Sequence, residues 1–363
     1  MKRLAVSLAE LADRPNLVLA LHKAARGKHQ RRAVARWLGD ADHKLDGLAA
    51  SILDQTAPQG HVRRFTIHDP KRREITAACF ADRVLHHALL NLTEARFEQA
   101  LVPGSFACRP GLGVHAAVAA VQRHLRRFAW CVRVDVAGYF PSIDHGLLRQ
   151  MLATRFKGAE HLALWQRIID AGRLGADAVG LPKIGLPIGA LTSQHLANAY
   201  LDSADRFLLS LPPVRAAVRY MDDIVWWCDD AAACHHSLAL LRQHLWDARR
   251  LQLKPNPRLA PSAAGIAFCG FRVRQGVVLP SQRKLQRYKA GAAKLAPWLL
   301  GPPEASGDIG SAECQRAHDN LHATLAHTQS LHFRQGVWGR LGACDGDDAD
   351  RPPLQSHPRC AST

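Results

Sequence analysis

The chain of 363 residues is 47% hydrophobic and 22% charged, a balance that fits a globular protein and excludes a fibre or an extensively disordered chain. It carries 48 Lys and Arg against 31 Asp and Glu, which gives a formal net charge of +17. Such a basic chain favours a polyanionic partner, most often nucleic acid, although a charge that serves only solubility is the alternative.

The first 60 residues are predicted to form a basic, helical extension. Apolar residues recur near helical spacing between positions 34 and 53. The preceding cluster Lys23–Arg32, "KAARGKHQRR", either contacts phosphates or forms a solvated helix end. Acidic residues interrupt the short apolar stretch after Arg3, which favours an amphipathic helix over an export signal.

Two features of the whole chain predict a cytoplasmic protein. No run of roughly 18 apolar residues is present, which argues against a membrane span. The nine cysteines are scattered without a C-x-x-C pair, so reduced thiols are expected rather than a disulfide framework or a zinc site.

Residues 61–128 are predicted to form a hairpin followed by two helices. The segment "HVRRFTIHDPKRREITAACF" alternates between polar and apolar residues around a turn at Asp69-Pro70, which gives a hairpin with a basic tip. Helical spacing then returns at 82–99 and again at about 114–127, after a loop rich in Gly and Pro.

The remainder alternates between helices and short strands. "WCVRVDV" predicts a buried strand, and a helix is expected from a cap at Asp144 to about Phe156. "GLPIGALTSQHLANAYLDSADRFL" predicts a turn and a helix, "VRAAVRYMDDIVWWCDD" two strands, "HHSLALLRQHLWDARRL" a helix and "GIAFCGFRVRQGVVLP" a hairpin. Helices are expected to about Leu341, before a tail with the composition of a disordered segment.

Acidic residues end two of these strands. Asp135 ends the first strand, and Asp222 and Asp223 lie at the tip of the second pair. Adjacent strands would crowd the three carboxylates, which repel one another unless a hard cation lies among them. Two Mg²⁺ ions in such a site stabilise both oxygens of an in-line phosphoryl displacement. An Asp pair alone is commonly a turn or a helix cap, and we interpret the pairs Asp229-Asp230 and Asp347-Asp348 as solvated.

Six motifs resemble those of bacterial reverse transcriptases and occur in the order of that family, over about residues 25–280. "RYMDDIVWW" resembles the Tyr-x-Asp-Asp box, and "VRVDVAGYFPSIDH" the first palm motif. "GLPIGALTSQ" is similar to the Leu-Pro-x-Gly-x-x-x-Ser motif, and "FCGF" to the hydrophobic motif behind the primer. "DPKRREITAACFADRVLHHAL" and "SFACRPGLGVHAAV" resemble finger motifs.

The resemblance implies an α+β right-hand polymerase fold with fingers, palm and thumb, an antiparallel palm sheet and a helical thumb. The implied activity is RNA-directed DNA synthesis from an RNA template, a DNA or RNA primer and dNTPs. The implied boundaries are an N-terminal extension at 1–60, fingers at 61–128, palm at 129–156, an insertion at 157–180, the remaining palm with the Met-Asp-Asp hairpin at 181–280, a thumb at 281–341 and a tail at 342–363.

The resemblance also assigns the predicted metal site. It makes Asp135, Asp222 and Asp223 the catalytic ligands of two Mg²⁺ ions, which Mn²⁺ can replace. The backbone carbonyl of Val136 would be a further ligand. These assignments agree with the chemistry expected of three crowded carboxylates.

Contacts to substrates follow from the same resemblance. Lys71 and Arg73 match finger residues that hold the triphosphate, and Phe140 matches the ring that excludes a ribose 2′-hydroxyl, although a core aromatic is the alternative for Phe140. Ile188 and Gln194 fall beside the nucleotide. The predicted primer and template contacts are Tyr220, Met221, Gly270 and Arg83.

The third motif suggests a subtype. Ile188 stands where Gln is common in the family and Gln194 where Pro is common, a form that resembles the reverse transcriptases of diversity-generating retroelements. Those enzymes make error-prone cDNA, with a small basic accessory protein as a possible partner. An aliphatic side chain cannot donate the hydrogen bond of a Gln, which gives a physical reason for low fidelity. The alternatives are a retron, intron-like or defence enzyme, a purely space-filling Ile188, and a non-catalytic RNA-binding relative.

Overall fold

The computed structural model of the protein describes residues 2–68, 72–171, 184–300 and 311–342. The chain divides into two compact units, Met1–Cys269 and Gly270–Thr363. Within the described ranges, no helix combines the length and the apolar content that are needed to cross a membrane.

The first unit mixes helices and strands. Its helices are α1 Leu8–Ala12, α2 Arg14–Ala25, α3 Arg32–Leu38, α4 Ala41–Leu53, α5 Phe80–Ala100, α6 Val114–Arg127, α7 His145–Arg155, α8 Ala159–Ala171, α9 Leu191–Tyr200, α10 Asp202–Ser210 and α11 Ala231–Arg249. Its strands are β1 Leu4–Ala5, β2 Val62–His68, β3 Arg72–Ala78, β4 Trp130–Asp135, β5 Phe156–Lys157, β6 Ala216–Tyr220, β7 Asp223–Cys228, β8 Arg258–Pro261 and β9 Ile266–Phe268.

A four-stranded antiparallel sheet with the order β6-β7-β4-β8 lies at the centre of this unit. Alternate residues of β4 point to opposite faces, so that Val132 and Val134 join the helical core while Arg133 and Asp135 lie on the other face. The predicted strands around the Met-Asp-Asp tip are confirmed. Strand β8 was not predicted, because its sequence, Arg258–Pro261, neither alternates clearly nor is strongly apolar.

The helical core confirms the predicted periodicity. Helix α5 packs against α2 and α9, and its residues Val84, Leu85, Ala88 and Leu89 are fully buried. The predicted helix across 34–53 is two helices, because the chain breaks at Gly39-Asp40, where Gly lowers helix propensity and Asp40 leaves the helical region with φ −130° and ψ 38°. The helix predicted after "GLPIGALTSQ" is likewise divided at Leu201.

The hairpin predicted at 61–80 is present as β2 and β3, paired from Val62 with Ala78 to His68 with Arg72. The loop between them, with the predicted turn at Asp69-Pro70 and Lys71, lies outside the described residues. Strand β3 is tied to the rest of the unit, since the amide of Thr76 donates to the carbonyl oxygen of Ile188 at 2.9 Å.

The second unit contains the hairpin of β10, Phe271–Val273, and β11, Val278–Pro280, and the helices α12 Gln282–Leu300, α13 Ser311–Ala323 and α14 Leu331–Gly339. Its small core contains Tyr288, Ala292, Leu325 and Val337. Helix α12 contains Lys and Arg residues but no Asp or Glu. The predicted helical character of this region is confirmed, and the predicted tail at 342–363 lies outside the described residues except for Gly342.

Candidate active site

The central sheet brings the three predicted acids together. Asp135 at the end of β4 pairs in register with Asp223 at the start of β7, and Tyr220 at the end of β6 pairs with the same residue. The two-residue turn Met221-Asp222 joins β6 to β7, and the amide of Val136 donates to the carbonyl oxygen of Asp222 at 3.2 Å. Sequence reasoning therefore predicted this convergence correctly.

Burial makes two of these carboxylates, those of Asp222 and Asp223, costly to ionise. Asp223 is 8% exposed, and burial raises the pKa of its carboxyl to about 6 in spite of hydrogen bonds from Arg133. Burial also raises the pKa of Asp222, and the negative charge of Asp135 acts in the same direction. A site of this kind is stabilised by a cation placed among the oxygens.

Two basic side chains supply positive charge to the acids. Arg133 donates from Nε to Oδ1 of Asp223 at 2.7 Å and from Nη2 to Oδ2 of the same carboxylate at 3.0 Å. Its Nη2 also lies 3.1 Å from Oδ2 of Asp135, and Nζ of Lys254 lies 3.1 Å from Oδ1 of that carboxylate. Neither residue was predicted from the sequence. The spacing of two between Arg133 and Asp135, which places them on one face of a strand, was the available signal for Arg133.

The donor set has the chemistry that Mg²⁺ takes. Carboxylate and carbonyl oxygens are its ligands, and three carboxylates converge at one end of the sheet. In the part of the chain that the structure describes, no three His, Cys, Asp or Glu side chains are already arranged around a common metal position. The oxygens of Asp135 and Asp223 are instead hydrogen-bonded to Arg133 and Lys254. The ligand role of the Val136 carbonyl stays a prediction.

Two of the residues predicted to lie beside the nucleotide, Phe140 and Ile188, belong to segments that a backbone hydrogen bond connects. Phe140 is half-buried in a 3₁₀ turn after β4, and its carbonyl oxygen accepts from the amide of Leu186 at 2.8 Å. Ile188 lies two residues after Leu186, and its carbonyl oxygen accepts a hydrogen bond from the amide of Thr76 on β3. Gly189 has φ +116°, and a Cβ there would lie 2.9 Å from Cγ2 of Ile75, so only glycine permits this close approach.

The remaining predicted contact residues are more dispersed. Arg73 on β3 is exposed, and its positive charge opposes, as the smallest contribution, the rise that burial causes in the pKa of Asp222. Gln194 is exposed on α9, where Sγ of Cys108 donates to its Oε1 at 3.6 Å. Arg83 on α5 lies over the ring of Phe80 at 5.1 Å. Gly270 belongs to the second unit and has φ +77°. Lys71 lies outside the described residues.

The tip itself has an uncommon backbone conformation. Met221 has φ 55°, in the left-handed region that non-glycine residues rarely adopt. Tyr220 and Met221 are both partly exposed beside the acids. Their predicted contact with a primer stays a prediction.

The segment that contains the three acids is also similar to known proteins. A family model described as "Reverse transcriptase (RNA-dependent DNA polymerase)" matches residues 68–256, which include the three acids, Arg133 and Lys254. The group II intron-encoded protein LtrA of Lactococcus lactis subsp. cremoris is 28% identical over 176 residues, which are 48% of this chain and 29% of that protein. Protein YkfC of Escherichia coli (strain K12) is 27% identical over 143 residues, 38% of either chain.

A third relative is an uncharacterized 91 kDa protein in the cob intron of Schizosaccharomyces pombe, 25% identical over 177 residues, which are 46% of this chain and 22% of that protein. The matched part thus spans between about a fifth and two fifths of the length of these curated relatives.

Proposed function

The chain belongs to the reverse transcriptase family, and from this premise we propose that it is an RNA-directed DNA polymerase that extends a DNA or RNA primer on an RNA template with dNTPs. The observation that carries the proposal is the register between Asp135 and Asp223, which puts three carboxylates at the ends of paired strands. The proposed architecture is a right hand. The central sheet serves as palm, the β2–β3 hairpin and its helices as fingers, and the helices α12 to α14 of the second unit as thumb.

In this proposal Asp135, Asp222 and Asp223 hold two Mg²⁺ ions, or Mn²⁺ in their place, with the Val136 carbonyl as a further ligand. Bound there, such ions lower the pKa of the primer 3′-hydroxyl and neutralise the departing pyrophosphate. Arg133 and Lys254 balance the negative charge of the carboxylates before substrates arrive, as their ion pairs in the structure suggest.

Other side chains would bind and orient substrates. Arg73 and Lys71 are proposed to hold the triphosphate, since a guanidinium and an ammonium both pair with phosphate oxygens. Phe140 is proposed to close the space beside C2′ of the incoming sugar. Tyr220 and Met221 are proposed to lie under the primer terminus.

Primer extension tests this function. With poly(rA)/oligo(dT), dTTP and Mg²⁺, we expect the wild type to extend the primer and Asp222→Asn to reduce extension to background while retaining primer–template binding. The matched control is Asp229→Asn, because Asp229 also belongs to an Asp-Asp pair but is exposed and paired with Arg215; it should extend like the wild type. If the wild type binds RNA but, like Asp222→Asn, extends no primer, the chain is a non-catalytic RNA-binding relative.

For the biological class, we propose a diversity-generating retroelement, with error-prone copying and a small basic accessory protein. The side chain of Ile188 supports this proposal because it cannot hydrogen-bond to a nascent base pair. The names of relatives such as LtrA favour a group II intron-like enzyme instead. A pair of near-identical repeats in the flanking DNA that differ mainly at adenines would support the retroelement class. The absence of such repeats would support one of the alternatives.

The same proposal predicts an effect of Ile188 on fidelity. Because the Ile188 carbonyl is fixed by Thr76, Ile188→Gln should change the side chain without moving the loop. We expect fewer misincorporations opposite adenine with Ile188→Gln, and no change with Ile188→Leu, measured by sequencing cDNA copied from one defined RNA. Equal error rates in all three proteins would make Ile188 a space-filling residue.

A further inference from the structure

A buried ion pair lies directly beneath the turn that carries Asp222. We propose that Arg219, together with Asp205 and Asn198, is a positioning unit that holds the Met221-Asp222 turn in its catalytic conformation. This inference rests on the proposed polymerase function. Arg219 is 1% exposed and Asp205 is 4% exposed, so neither side chain contacts solvent substantially.

All three nitrogen atoms of the Arg219 guanidinium donate hydrogen bonds. Nε lies 2.8 Å from both carboxylate oxygens of Asp205, and Nη2 lies 2.7 Å from Oδ2 of the same residue. Nη2 also donates to the carbonyl oxygen of Asn198 at 3.0 Å. Nη1 donates to Oδ1 of Asn198 at 2.8 Å and to the carbonyl oxygen of Met221 at 3.2 Å. An Arg has five N–H groups in a fixed fork, and a Lys has only three on one nitrogen.

The contact to Met221 is the step that connects this pair to the active site. Met221 has φ 55°, a conformation that is unfavourable for a non-glycine residue and persists where surrounding contacts over-determine it. The Met221 carbonyl immediately precedes Asp222, so a hydrogen bond from a rigid, buried guanidinium fixes the peptide plane that orients this acid.

A neighbouring loop completes the unit. Oγ of Ser105 donates to Oδ1 of Asn198 at 3.2 Å, and Nδ2 of Asn198 donates to the carbonyl oxygen of Ala107 at 2.7 Å. The backbone of Arg219 bonds to the same loop, with its amide donating to Gly104 at 2.8 Å. The loop around Ser105 and the catalytic turn are therefore held by the same side chains.

Stability alone does not account for this arrangement. Removing two charges from water is costly, and apolar residues of similar volume are often equally stabilising in the place of a buried ion pair. The exposed pair of Arg215 and Asp229, with Nε 2.8 Å from Oδ2, lies at the opposite end of the same two strands and has no contact with the turn. It is a natural control.

The test compares two ways of changing Arg219. Arg219→Lys keeps the buried charge but loses the fork, and the double variant Arg219→Met/Asp205→Leu removes both charges together. We expect both proteins to bind primer–template and dNTP with near wild-type Kd and KM, and to lose about 10- to 100-fold in kcat, because a displacement near 1 Å has an effect of this order. Arg215→Met/Asp229→Asn should keep the wild-type kcat.

Hydrogen exchange provides a readout that does not depend on activity. We expect Arg219→Lys to speed exchange in peptides that cover the turn and the amide of Val136, which donates to Asp222, while peptides from α5 exchange as in the wild type. Wild-type kcat in both variants would overturn the proposal, and so would unfolding of both or uniformly faster exchange, since the pair would then serve only the fold. An inactive wild type would instead overturn the proposed function.

Discussion

The side chain of Phe140 makes the most direct residue-scale prediction, because it lies in the turn that follows Asp135 and is proposed to close the space beside C2′ of the incoming sugar. Phe140→Ala should open space for a 2′-hydroxyl and raise kcat/KM for UTP relative to dTTP by about tenfold or more, the usual order for one steric contact. Extension of oligo(dT) on poly(rA) with each nucleotide measures this ratio. The control is Tyr139→Phe, since Tyr139 is 3% exposed and faces the core. An unchanged ratio in Phe140→Ala would make Phe140 a packing residue.

Residue identities at the site were predictable from the sequence only where a motif is local. Asp135, Asp222 and Asp223 stand at the ends of short apolar strands, and this context can be recognised within ten residues. Arg133, Lys254 and Arg219 were missed, because their partners depend on strand register and on contacts between residues up to 119 positions apart. Apart from the spacing of two between Arg133 and Asp135, nothing in local periodicity encodes such pairs.

At the scale of elements, one glycine fixes the approach of the Ser105 loop to β6. A Cβ on Gly104 would overlap the carbonyl oxygen of Ala217 and lie 3.3 Å from its carbon, and this backbone cannot retreat without disturbing the sheet. Gly104→Ala should therefore lower the free energy of unfolding by about 1–3 kcal/mol. Gly47→Ala, in an exposed part of α4 with no atom within 4 Å of the new Cβ, should raise it by about 0.5–1 kcal/mol. Urea denaturation measures the change in the free energy of unfolding for both variants. An unchanged free energy of unfolding in Gly104→Ala would contradict the close approach.

Helix α8 contains a histidine that should make stability depend on pH. His161 is 1% exposed, its Nε2 accepts from Nε1 of Trp165 at 3.1 Å, and burial lowers its pKa to about 4. Because the pKa in the unfolded chain is higher, about 6.5, the neutral histidine stabilises the fold fully above pH 6.5 and this contribution is lost as the pH falls toward 4. At pH 5.5 the loss should be about 1 kcal/mol.

Urea midpoints at pH 7.5 and 5.5 measure this loss. His161→Gln keeps an acceptor for Trp165 but does not titrate. Between pH 7.5 and 5.5, the free energy of unfolding of this variant should therefore fall by about 1 kcal/mol less than that of the wild type. The exposed His236 on α11 is the control, and His236→Gln should behave like the wild type. A loss in His161→Gln equal to the wild-type loss would contradict the assignment.

The elements themselves were largely predictable, because helical spacing and alternation reflect burial on one face. Helix α6 was predicted within about one residue, and Asp144 caps α7 as expected by accepting from the amide of Leu147 at 2.9 Å. The breaks at Gly39 and Leu201 were missed, since apolar residues continue at helical spacing across both.

For the whole molecule, the net charge of +17 predicts how nucleic acid binding responds to salt. If the chain is held to primer–template mainly through phosphates, log Kd should rise linearly with log salt concentration, and affinity should fall by about 10³ or more between 50 and 200 mM KCl, as for six or more phosphate contacts. Fluorescence anisotropy of a labelled primer–template at constant Mg²⁺ measures the slope. Asp222→Asn should keep that slope, because it neutralises an acid without removing a phosphate contact. A nearly flat slope would mean that the basic charge serves solubility rather than binding.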